Sequence, residues 1–78
     1  MQDVYLIISN FETRSKVHGV CTKDKALEHF NLMCSFKPES WVKEIIKPFM
    51  INFYSIDEDG NKKFQEQLYI EKRQLLGF

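Results

Sequence analysis

A chain of 78 residues with 44% hydrophobic and 28% charged side chains can close one hydrophobic core but not two, and its composition is far from that of a disordered segment. Eleven Lys+Arg balance eleven Asp+Glu, which excludes both a strong overall attraction to nucleic acid or anionic lipid and a polyanionic surface. Met1-Gln2-Asp3 and the short apolar run after it do not make a secretory leader, and no stretch nears the ~20 apolar residues of a membrane helix. Cys21 and Cys34 are too few for a disulfide framework. The expectation is one cytoplasmic domain over residues 1–78 with reduced thiols.

Val4-Tyr5-Leu6-Ile7-Ile8 is β-branched and aromatic and stops at Ser9-Asn10, which predicts a first strand. A polar loop leads to Val17-His18-Gly19-Val20-Cys21, a second strand paired with the first. Thr22 suits an N-cap, Asp24 opposes the helix dipole, and Ala26, Leu27, Phe30, Met33 and Cys34 fall on one helical stripe, so a helix is predicted over about residues 23–35.

Between Pro38 and Pro48, the positions of Trp41, Val42, Ile45 and Ile46 (i, i+1, i+4, i+5) predict a short second helix. From Phe49 the period becomes two, with Phe49, Ile51 and Phe53 on one face and Met50, Asn52, Tyr54 and Ile56 on the other. Asp57-Glu58-Asp59-Gly60-Asn61 is a turn. Beyond it Phe64, Leu68 and Ile70 alternate with Gln65, Gln67, Tyr69 and Glu71 to complete a hairpin. The predicted fold is α+β: an antiparallel sheet of about four strands, ββα(α)ββ, with helices on one face.

The segment from Val4-Tyr5-Leu6 through Gly19-Val20-Cys21-Thr22 to the charged helix start at Ala26 resembles a loose family of small uncharacterised bacterial and phage proteins. Those share a VY strand, a polar loop, a GV(Y/F/C)(S/T) strand and a helix. The resemblance covers about the first third of the chain, implies a small α+β domain, and transfers no functional residue.

Candidate chemistry is sparse. His18, Cys21, His29 and Cys34 are zinc-type donors, but helical positions 29 and 34 lie about 140° apart around the axis and cannot share an ion. His18 and Cys21, three apart on a regular strand, would point to opposite faces and form no dyad. The acidic turn resembles a calcium-loop fragment, yet Leu68 stands where the closing Glu is required. No cofactor or metal site is expected.

The leading expectation is a non-enzymatic protein–protein interaction module, an accessory or inhibitory factor of bacterial or phage origin. Its surface would include Tyr5, Ile7, Tyr54 and Tyr69, and it would be closed by homodimerisation, because strand one is apolar on both faces. The alternative is nucleic-acid binding through the last hairpin, with Lys62, Lys63, Lys72 and Arg73 on phosphates and Tyr69 stacking.

Overall fold

The computed structural model describes residues 2–75. It contains strands β1 (Gln2–Asn10) and β2 (Ser15–Cys21), helix α1 (Lys23–Ser35), and strands β3 (Val42–Lys47), β4 (Met50–Ile56) and β5 (Lys62–Leu75). All strand pairs are antiparallel, and the sheet order is β2-β1-β5-β4-β3. The α+β class stands as expected, with five strands in place of four and a single helix.

The hairpin β1–β2 is closed by a short loop in which Phe11 N–H donates to the Arg14 carbonyl at 2.7 Å. Thr22 then caps α1: its side chain accepts from the Lys25 N–H and its carbonyl from Ala26 N–H. Such a cap is worth about 1 kcal/mol. Because α1 follows β2 directly, it folds back over β2, β1 and β5. There it buries Ala26 and Phe30 against Ile7, Leu68 and Phe53, with Tyr5, Cys21, Ile51 and Ile70 around them. Phe53 and Leu68 are fully buried, each contributing roughly 2–3 kcal/mol of apolar transfer.

The predicted second helix is instead β3. Pro48 leaves fewer than a dozen residues for a helix, short of what a helix sustains without packing. Val42, Ile45 and Ile46 are β-branched and suit a pleated surface. In the fold this segment meets the free edge of β4 and pairs with it from Val42 opposite Tyr54 to Ile45 opposite Ile51, with a bulge at Ile46 before Lys47 meets Met50.

The β3–β4 turn places Phe49 at φ 63°, a left-handed conformation costly for a residue with a side chain. Its ring packs edge-on against Phe30 at 5.9 Å, and its carbonyl accepts from Ile70 N–H at 3.0 Å. The acidic segment 57–61 is the β4–β5 turn: Asp57 Oδ1 accepts from the N–H groups of Asp59 and Asn61, and Gly60 takes φ 82°. The Asp57 carboxylate is thereby used locally.

Three register shifts interrupt the ladders, one of them at Ile46 in the β3–β4 pair, and the other two set the side-chain parity of the sheet centre. The register slips between Ile7 and Ile8 against β2, and between Phe53 and Tyr54 against β5. The second slip moves Phe64 off the face of Leu68 and Ile70 and sets it opposite Tyr54 on the other side, rings 6.0 Å apart.

Candidate functional site

Since α1 covers one face of the sheet, no described helix or loop lies over the opposite face, and the strand registers arrange it in rows. Leu6 lies opposite Val20, and Ile8 lies between Val17 and Tyr69, which faces Met50 in turn. These six apolar side chains form two rows, in which Val17 and Val20 are 54% and 61% exposed, Leu6, Met50 and Tyr69 are half-buried, and Ile8 between them is buried by its neighbours.

The next row is polar and spans all five strands. Ser15 Oγ donates to Asn10 Oδ1 (2.5 Å), Asn10 Nδ2 to Gln67 Oε1 (3.2 Å), and Gln67 Nε2 to Asn52 Oδ1 (2.9 Å). Asn52 Nδ2 donates to the Tyr54 hydroxyl, which donates to Glu44 Oε1 at 3.3 Å. This amide ladder ties the five strands laterally and uses one N–H of each amide, the second being a donor for water at the border of the apolar rows. On the other border Glu71, opposite Leu6, pairs with Arg73 at 3.1 Å.

On the covered face lies a second polar feature. Ser9 is fully buried and Glu66 nearly so. Ser9 Oγ donates to Glu66 Oε2 at 2.5 Å, and the Lys37 ammonium pairs with Glu66 Oε1 while lying 5.6 Å over the Phe53 ring. His18 Nε2 is 2.5 Å from Ser9 Oγ. Because the single Ser9 hydrogen goes to the carboxylate, Nε2 carries the hydrogen of the His18–Ser9 bond. Burial, and then Lys16, push the His18 imidazole below its usual range, against the pull of Glu66. The network ties β1, β2, β5 and the loop after α1 together.

The signal for this network lay in parity: Ser9 continues the Tyr5, Ile7 face and Glu66 the Leu68, Ile70 face. Lys37, far away in sequence, carried none.

Of the four expected interface residues, the structure brings only Tyr54 and Tyr69 to the bare face. Ile7 is 3% exposed in the core and Tyr5 packs against that core, so both are corrected to the helix-covered side. Strand one is apolar on both faces, and parity alone could not say which one α1 would cover. The face left open is that of Leu6 and Ile8.

The basic residues do not converge. Lys62 and Lys63 alternate at one end of β5 and Lys72 and Arg73 at the other, so Lys63 and Lys72 are about 30 Å apart along the strand. Lys72 pairs with Asp3 (3.5 Å) and Arg73 with Glu71, and Lys62 lies 5.7 Å over the Tyr54 ring.

His18 and Cys21 are not on opposite faces: the bulge beside Ile7 turns both toward a cavity of about 180 Å³ between β2 and α1, lined also by Ile7, Gly19, His29 and Met33. Among the described residues no three His, Cys, Asp or Glu side chains stand where they could hold a metal ion. Cys34 packs against the core, and burial pushes its thiol upward. Both cysteines are free. Among the described residues no helix is long and apolar enough to cross a membrane.

No protein-family model, curated protein or solved structure matches the chain.

Proposed function

We infer that this protein is a non-enzymatic protein–protein interaction module whose working surface is the uncovered sheet face. The observation that carries the reading is the set of Leu6, Ile8, Val17, Val20, Met50 and Tyr69, two apolar rows over which none of the described residues packs a second layer, with Ile8 buried among its neighbours and Val17 and Val20 more than half exposed. An apolar patch framed by polar residues is the anatomy of a protein interface. The buried Ser9–Glu66–Lys37 network supports the same view, since a fully buried hydroxyl already bound to a neutralised carboxylate serves rigidity. The free, half-buried cysteines suit a reducing compartment such as the cytoplasm. An accessory or inhibitory role follows from the small size of the chain and its 14% aromatic content, and a bacterial or phage origin from the resemblance of its first third alone.

The test is capture from bacterial lysate on immobilised wild-type chain and on Val17→Glu/Val20→Glu. A protein or a second copy retained only by the wild type supports the reading, and identical retention by both removes it. Oligonucleotide binding at low salt that falls as salt rises, with the patch variant unaffected, would favour the nucleic-acid alternative instead.

A further inference from the structure

Strand β2 carries a glycine that its own backbone does not require. Gly19 lies inside the strand, opposite Ile7. Its φ is not in the left-handed region, and a Cβ added to it would meet no atom within 4 Å. Glycine weakens a strand interior, and one that neither a turn nor a crowded neighbour demands is the kind that lets a ligand approach the backbone. Because Ile7 faces α1, the missing side chain opens toward α1 as well. The space above it is the cavity of about 180 Å³.

The cavity is graded from apolar to polar. Buried Ile7 and Gly19 form its floor, half-buried Cys21 and Met33 its walls, and His18 from β2 and His29 from α1 stand exposed at its mouth. No Asp, Glu, Lys or Arg is among the described residues that line it. The Cys21 thiol is already directed at the Tyr5 carbonyl, 3.8 Å away. His18 Nε2 carries the hydrogen of its bond to Ser9, which leaves Nδ1 as an acceptor with no partner among the described residues.

We propose that this cavity binds a small uncharged aromatic molecule carrying one hydroxyl or N–H group, its ring over Gly19 against Ile7 and Met33 and its donor on His18 Nδ1. A cavity of about 150 Å³ accepts benzene, so this one takes a single ring with one substituent. The Met33 thioether favours an aromatic ring, and a charged group would enter without a counter-ion. The site lies on the helix side of the sheet and does not depend on the reading of the opposite face as a protein-binding surface.

Phenol and toluene are the probes, titrated into the chain and followed by NMR. Both should shift the His18, His29 and Met33 side-chain resonances saturably, and benzoate should not. His18→Phe keeps a ring and loses the acceptor, so the affinity for phenol relative to toluene should fall about tenfold, whereas a structural role of His18 would weaken both probes alike. Gly19→Leu fills the open space: it should keep the wild-type circular dichroism and weaken both probes about tenfold or more. Gly19→Ala should fold as the wild type does and weaken them less. No saturable shift from either probe, a phenol-to-toluene ratio unchanged in His18→Phe, or binding that survives Gly19→Leu overturns the proposal. A Gly19→Ala chain that fails to fold also overturns it, since the space would then belong to the fold.

Discussion

The Lys37 ammonium, from the loop after α1, pairs with the Glu66 carboxylate at the centre of β5, and the Glu66 side chain is only 6% exposed. One further oxygen contact, from Ser9, completes the carboxylate's shell, so a charge in the core is neutralised and hydrogen-bonded on both oxygens. Breaking such a pair leaves an uncompensated buried charge, whereas replacing both partners with apolar groups does not. Lys37→Met should therefore cost about 3 kcal/mol. Lys37→Met/Glu66→Leu should recover most of that loss, and urea denaturation of the three proteins measures it. A double variant less stable than Lys37→Met would refute this account of the pair.

The His18 imidazole is held below 6.5 by burial and by Lys16. The unfolded chain then binds the proton more readily than the folded one. The stabilisation from neutral His18 is complete above the unfolded value, about 6.5, and is lost as pH falls through the folded value. Urea midpoints should drop from neutral pH toward about pH 5, with a smaller drop in His18→Gln. An NMR titration with the His18 midpoint at or above 6.5 would contradict the geometry.

Gln67 is the centre of the amide ladder, accepting from Asn10 and donating to Asn52. Gln67→Leu removes both bonds and leaves Asn10 Nδ2 and Asn52 Oδ1 without their cross-strand partner, at a cost of about 1–2 kcal/mol. The amide protons of Asn10 and Asn52 side chains should become faster to exchange in the variant. Unchanged stability and exchange would show the ladder to be incidental.

Phe49 at φ 63° combines backbone strain with ring packing on Phe30. Comparing Phe49→Ala with Phe49→Gly separates the two, since both lose the ring and only Ala keeps the strain. Phe49→Gly should be the more stable by about 1 kcal/mol, read as the difference in thermal midpoints. The reverse order would mean that the turn relaxes to negative φ.

Local periodicity carried much of the fold. The β-branched composition of β1 and β2, the alternation in β4 and β5, the Thr22 cap with the Ala26–Phe30 stripe, and the Asp57–Asn61 turn were all legible, because each depends on neighbours within a few residues. The segment around Val42–Lys47 was not legible: nine residues between two prolines fit either period, and only the free edge of β4 decided for a strand. The bulges in the β1–β2 and β4–β5 pairs were equally hidden, yet they placed His18 beside Ser9 and Phe64 beside Tyr54.

The surface followed the same division. The sequence by itself determined that β1 is apolar on both faces and that the chain carries no net charge. Only the tertiary structure decided that α1 covers Tyr5 and Ile7 and leaves Leu6 and Ile8 on the open side. The physical reason is the register that sets Ser9 and Glu66 together. Their face carries a buried acid that needs Lys37 from the loop after α1, and the helix must lie on the side where that lysine can reach it.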